Sequence, residues 1–203
     1  MKKGKVKVYD KRTLEFILTD QREELDGKSS EVFCKRREQK LIDLNSSQAQ
    51  VVIGVRRSGK STLCYQALQD AGVKYAYADF DDERLEGMAA GQLNDVLEVL
   101  YKIYGEFDYL FLDEIQNVDG WHLFVNRMLR NKMHVVITGS NAKLLSGELA
   151  THLSGRSKEI SLYPLSFEEY CVLTNTDTVT KSTKAEAFRR NAFDNYMKQG
   201  GFP

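Results

Sequence analysis

At 203 residues, 42% of them hydrophobic and 29% charged, the chain is long enough for one domain with a buried core and at most a small appendage. Its 29 Lys and Arg cancel 29 Asp and Glu, which removes any whole-chain electrostatic case for nucleic acid or an anionic membrane as partner. Three cysteines without CxxC spacing, and three scattered histidines (His122, His134 and His152), exclude a zinc set at motif spacing and fit a reducing cytoplasm.

The first residues, MKKGKVKVYD, are charged but lead into no apolar segment, so they do not read as a signal peptide. No apolar run approaches the ~18 residues that suggest a membrane span. Residues 1–45 form a charged N-terminal segment, weakly periodic, with helical character around 31–44. From residue 46 to 164 short β-like runs alternate with longer segments: QVVIGV (50–55), VKYAYADF (73–80), DYLFLDE (108–114), HVVITGS (134–140) and KEISLYP (158–164). Their apolar centres predict strands buried on both faces of a parallel sheet. Between two of them, GQLNDVLEVLYKIYG places Leu93, Val96, Leu97, Leu100, Ile103 and Tyr104 at helical spacing. Repeated strand, helix, strand predicts a three-layer α/β domain. Residues 165–203 read as helical, with an apolar stripe of Phe188, Ala192, Phe193, Tyr196 and Met197 and a stop at Gly200–Gly201. The finish at GGFP reads as a domain boundary.

The first strand runs into GVRRSGKS, residues 54–61, which fits GxxxxGK[ST]. Gly54 and Gly59 permit torsions and close approach that a β-carbon would block. Backbone N–H groups of Arg57, Ser58, Gly59, Lys60, Ser61 and Thr62 then form an anion nest at the positive end of a helix beginning near Lys60. Lys60 reaches β- and γ-phosphate oxygens, and the Ser61 hydroxyl suits Mg²⁺. Arg56 and Arg57 either add attraction for a triphosphate, face solvent or pair with N-terminal acids.

YLFLDEIQ, residues 109–116, carries Asp113 and Glu114 to the C-terminal end of a buried strand, where open α/β sheets bind ligands. Asp113 is the expected Mg²⁺ holder, and Glu114 the base that orients attacking water. No NKxD-type guanine reader is present, so ATP is favoured over GTP. HVVITGSN ends in Ser140 and Asn141, which would reach the γ-phosphate if this strand lies between the other two; each is equally a cap for the following AKLLSGEL. In LSGRS, Arg156 is a candidate arginine finger, in its own subunit or a neighbour's, against the plainer reading of a surface arginine. Asp79, Asp81 and Asp82 of YADFDDERL read as loop solvation before Mg²⁺ assistance. Trp121 and Phe124 read as core.

GVRRSGKSTL, YADFDDERL, YLFLDEIQNVDGWHLFVNRM, ITGSNAKLLSGELATHLSGRS, YPLSFEEY and QGGFP, in this order, resemble the prokaryotic AAA-type ATPases whose domain ends in Gly-Gly-Phe-Pro and usually continues into a C-terminal domain of unknown function. The resemblance spans residues 51–203 and implies an additional-strand P-loop fold of five parallel strands with a small helical lid. It also implies Mg-ATP as ligand, Ser140 or Asn141 as γ-phosphate sensor, and Arg156 as the arginine finger, in cis or, in the leading expectation, across the subunit interface of a homo-oligomer. The expected activity is Mg-dependent ATP hydrolysis coupled to conformational change. A slow nucleotide-gated switch and a nucleic-acid-remodelling ATPase are the alternatives.

Overall fold

The computed structural model describes residues 7–28, 33–140, 153 and 155–202. Five strands arise where the apolar runs predict them: β1 (Ala49–Gly54), β2 (Tyr75–Asp79), β3 (Tyr109–Asp113), β4 (His134–Ser140) and β5 (Ser157–Leu162). They pair in parallel in the order β2-β3-β4-β1-β5. Strand β4 therefore lies between the phosphate-loop strand and the acidic strand, as the additional-strand arrangement requires.

Alternate residues of each strand feed opposite layers. Val51, Ile53, Leu110, Leu112, Val135 and Ile137 face one core; Val52, Phe111 and Val136 face the other. The first layer holds α1 (Lys11–Gly27), α3 (Leu93–Tyr104) and α4 (Trp121–Arg130). The second holds α2 (Lys60–Asp70), through Leu63, Cys64 and Leu68. Edge strand β5 exposes Lys158 and Glu159, charges that discourage further strand pairing there. Trp121 and Phe124 are core residues, 2% and 6% exposed.

Helix α1 corrects the expectation for the N-terminal segment. The long helix lies at 11–27, whereas the described residues of the expected segment, 33–44, contribute a short 3₁₀ turn at Arg37–Leu41. Asp10 caps α1 by accepting from the Thr13 N–H at 2.9 Å. Leu14, Ile17, Leu18, Gln21 and Leu25 form its buried stripe. Gln21 is a fully engaged buried amide. It donates to the Asp79 carbonyl and the Asp82 carboxylate, and accepts from the Asp79 N–H, each at 3.0 Å. It thereby ties α1 to the C-terminal end of β2.

After β5 come α5 (Phe167–Leu173) and α6 (Thr183–Gln199). Ser166 and Glu169 form a capping box on α5. The expected stripe of α6 is divided. Phe193 and Tyr196 pack on Phe167 at 5.2 and 5.5 Å between ring centroids, Phe193 remaining partly open to solvent, whereas Phe188 and Met197 are more exposed still. Gly200 ends α6 with φ +72°, and Gly201 folds back so that its carbonyl accepts from the Leu165 N–H at 2.6 Å. A β-carbon on Gly201 would collide with the Leu165 backbone. The glycine pair is thus both a helix stop and a seat for the residues entering α5. Among the described residues, no helix is long and apolar enough to cross a membrane.

Candidate nucleotide site

Gly54 closes β1 against β5. A β-carbon there would strike the Leu162 carbonyl and lie 2.9 Å from Ser58 Oγ, so the loop needs glycine for space. The chain then turns through Arg57 (φ 64°) and Gly59 (φ 89°), both left-handed, before α2 begins at Lys60. Ser58 is buried, its N–H donating to the Val55 carbonyl at 3.2 Å. Arg56 forms an exposed ion pair with Asp81 at 2.9 Å at the cleft, rather than pairing with the N-terminal acids.

Lys60 is 5% exposed. Its ammonium lies 3.1 Å from Glu114 Oε1 and donates to the Val55 carbonyl at 3.3 Å. Asp113 is buried at the end of β3, and its carboxylate accepts from the hydroxyls of Thr138 and Tyr77 (3.2 Å), while Ser61 lines the same cleft. Burial pushes the Asp113 carboxyl up, and the neighbouring Thr138 and Ser61 hydroxyls pull against that rise. Glu114 follows in the left-handed region, φ 48°, a conformation that a non-glycine residue holds only when its surroundings impose it. The surroundings do so at several points. Its N–H donates to Thr138 Oγ1 at 3.1 Å, and its carboxylate accepts from the Ser140 N–H at 3.1 Å and from Gln116 Nε2. One threonine hydroxyl on β4 therefore donates to the first acid and accepts from the backbone of the second.

Asp79 is register-paired with Asp113 across β2 and β3. Burial first, and then the Asp113 charge, push its carboxyl up to about 7. Asp82 is engaged with Arg84 and Gln21. Asp79 and Asp81 line the cleft with the phosphate loop.

That cleft, of about 880 Å³, gathers Arg57, Ser58, Gly59, Lys60, Ser61, Thr62, Asp113, Glu114 and Ser140. Gly54 supports it from β1. Asn141 lies outside the described residues. Arg156 is elsewhere: its carbonyl accepts from the Ala49 N–H at 2.9 Å, at the end of the sheet opposite Gly54. Roughly 17 Å of strand separates it from the phosphate loop, at ~3.3 Å per residue. Its exposed guanidinium donates to Asn126 Oδ1 at 3.1 Å. This position is remote from the phosphate loop of the same chain.

The cleft also holds residues that the motifs did not single out. Phe33, Cys34 and Arg36 come from the segment before β1, and Leu165 and Leu173 from the C-terminal helices. Thr62, Leu63 and Gln66 line the same cleft. A run of apolar and basic residues before a phosphate-loop strand was the only available signal for the first group.

A glycine-bounded loop that turns into the N-terminus of a helix, a buried lysine, and a hydroxyl and carboxylate lining one cleft define a P-loop nucleotide site in an AAA-type fold. Residues 46–171 match the AAA domain family, so the chain belongs to it, a family of nucleotide-binding ATPases. The chain is 37% identical over 164 residues to the uncharacterized protein MJ1544 of Methanocaldococcus jannaschii, covering 80% of this chain and 37% of that one. It is 38% identical over 174 residues to an uncharacterized protein of Haemophilus influenzae, covering 81% and 42%. It thus spans about two fifths of the length of these curated relatives. Among solved structures, AMPPCP-bound DnaA from Aquifex aeolicus superposes with a TM-score of 0.45 at 15% identity, over 78% of this chain and 57% of that one.

Proposed function

We propose that this chain binds Mg-ATP in the cleft and hydrolyses it, with Lys60 and Glu114 as the groups that exchange partners when the triphosphate enters. The observation that carries this reading is the Lys60–Glu114 pair at 3.1 Å, which joins the phosphate loop to the acid strand. Phosphate oxygens compete for the Lys60 ammonium, and Glu114 is then released to accept a proton. Water oxygen attacks the γ-phosphorus, the bond from that phosphorus to the β–γ bridging oxygen breaks, and the water proton passes to Glu114. The Ser140 N–H and Gln116 fix the carboxylate's direction.

Ser61 and Asp113 are the residues that would hold Mg²⁺, a hard cation suited to oxygen donors, which would neutralise charge on the phosphates. The donor set fits: a cation beside Asp113 favours the ionised carboxylate that burial disfavours. Among the described residues no group of three or more His, Cys, Asp or Glu side chains is arranged for a metal. The remaining ligands would thus be water and phosphate oxygens.

Arg156 is assigned to a neighbouring copy's triphosphate. The test is turnover per subunit across a wide range of protein concentration. It should climb with concentration in the natural chain and lose that climb in Arg156→Ala. Glu114→Gln should still bind ATP yet turn over at least tenfold more slowly, since a positioned base contributes about 10²–10⁴. Unchanged turnover in Glu114→Gln overturns the assignment.

The slow-switch reading has one observation in its favour. Glu114 is engaged by Lys60, Gln116 and the Ser140 N–H at once, so hydrolysis waits on its release. Slow turnover independent of concentration, with tightly retained ADP, would select it.

A further inference from the structure

The segment before β1 is fastened to the start of α5 at three neighbouring residues. Cys34 Sγ lies 3.7 Å from the Glu169 carbonyl, Arg36 Nε donates to Glu169 Oε1 at 2.8 Å, and Arg37 pairs with exposed Glu168 at 2.8 Å. Arg36 is the centre of this junction. Its side chain is 6% exposed, and its other arms point at two more elements. Nη2 donates to the Tyr163 carbonyl beyond β5 at 2.8 Å, and Nη1 to the Ser58 carbonyl of the phosphate loop at 3.4 Å. One planar fork therefore touches the phosphate loop, the exit of the sheet and the helix that flanks the cleft.

A second carboxylate waits beside it. Glu38 Oε2 forms a longer ion pair with Arg36 Nε at 3.7 Å, beyond hydrogen-bond range, and it is a buried oxygen with no hydrogen-bond partner among the described residues. Such an oxygen is costly unless another arrangement satisfies it. Rotation of Arg36 by a fraction of its present reach would bring its Nε from Glu169 to Glu38. If α5 swung away without Glu38, the guanidinium would keep only the Tyr163 and Ser58 carbonyls and no carboxylate, an unfavourable arrangement for an enclosed cation. With Glu38 in place the cation always has a carboxylate.

We propose that Arg36 is a two-position latch, paired with Glu169 when the C-terminal helices close over the nucleotide and with Glu38 when they open. This rests on the nucleotide reading of the cleft. Arg36 is a positioning residue: it acts through the Ser58 backbone and α5, not on the reacting atoms.

The latch predicts opposite signs for two substitutions that delete one charge each. Glu169→Gln keeps the capping box, since Gln serves at that helix position, but weakens the closed pairing. Glu38→Gln weakens the open one. Release of a fluorescent ADP analogue, followed by stopped flow, should be faster in Glu169→Gln and slower in Glu38→Gln, each by at least about threefold, because a charge-assisted hydrogen bond is about twice as strong as a neutral one. A merely structural ion pair would speed release in both variants or in neither, and either result overturns the latch. Hydrogen exchange of residues 165–175 without nucleotide supplies the independent arm. Glu169→Gln should exchange faster there and Glu38→Gln more slowly; identical protection in all three proteins overturns the latch. Should the natural chain fail to bind the ADP analogue at all, the nucleotide reading falls, while the exchange measurement still decides the latch.

Discussion

Thr138→Val is the substitution that bears most directly on how the two acids are held. Valine is nearly isosteric with threonine, so the fully buried site keeps its packing and loses only a hydroxyl. Two bonds go with it: the donation to Asp113 and the acceptance from the Glu114 N–H. A hydrogen bond to a charged group contributes about 1.5–3 kcal/mol, and a buried donor left without a partner costs about 1–3 kcal/mol. Partial protonation of Asp113 relieves some of this, so a net loss of about 2–4 kcal/mol is expected. In a domain of this size each kcal/mol moves Tm by about 2–4 °C, hence a fall of roughly 4–16 °C. Turnover should drop further than stability suggests. Without its Thr138 anchor the strained backbone of Glu114 relaxes, and a displacement of about 1 Å at such a group is worth on the order of 10²-fold. The Asp113 carboxyl, already pushed up by burial, rises further when Thr138 no longer pulls it down, so more Mg²⁺ should be needed for half-maximal rate. Thr138→Ser, which keeps the hydroxyl, is the control and should retain most activity. Thermal unfolding and a Mg²⁺ titration of ATP turnover read all of this. Thr138→Val with turnover within about twofold of the natural chain and Tm within about 2 °C would refute the two-bond account.

Gly54→Ala would force a β-carbon into the Leu162 carbonyl and Ser58 Oγ; ATP affinity measured by calorimetry should fall by at least tenfold, and wild-type affinity would show that the loop has room to shift. Asp79, pushed up to about 7 by burial and by Asp113, holds its proton more tightly folded than unfolded. Its contribution to stability is therefore full below the unfolded value near 4, and is lost as pH rises through about 7. Urea unfolding in chelator should accordingly show stability declining from pH 5 to pH 8, and Asp79→Asn should flatten that decline. Gly201→Ala, whose new methyl meets the Leu165 backbone, should release the residues entering α5, read as faster hydrogen exchange there with the sheet still protected.

The sheet was legible because its strands are buried on both faces. A run such as LFL or VVI has few other homes, and the observed boundaries differ from the expected ones by a residue or two. The position of β4 was not written in that periodicity; it came from the resemblance, and the pairing of Val136 with Phe111 and Gln50 gives it directly. Thr138 went unnoticed for the same reason. In HVVITGS it reads as one more β-branched strand residue, and its hydroxyl acquires a task only when β4 is laid beside β3. Helix α1 was missed although its cues were present: a capping Asp10, then Leu14, Ile17 and Leu18 at helical spacing. Dense charge on the other face and an exposed Phe16 blurred the stripe. Arg36 carried no cue at all, since a buried arginine and a surface one look alike until their partners are placed.

Arg156 is a case where the sequence held more than was taken from it. In a parallel sheet, whatever follows a strand lies at one edge and whatever precedes a strand lies at the other. Gly59, Lys60 and Glu114 all follow strands, whereas Arg156 immediately precedes β5. The motif order alone therefore places the guanidinium at the far edge from its own phosphate loop. The groups argued to act on a triphosphate are split across the domain: lysine, hydroxyl and acids at one edge, arginine at the other. A single copy has no means of bringing them together, and a two-fold pairing that buried one edge against itself would not do so either. Head-to-tail contact does, because it sets the Arg156 edge of one copy against the cleft of the next. Such heterologous contacts close into rings or run on as filaments. If Arg156 contributes to turnover, the active species is one in which the Arg156 edge of one copy meets the cleft of another, and its formation should set the concentration at which activity appears.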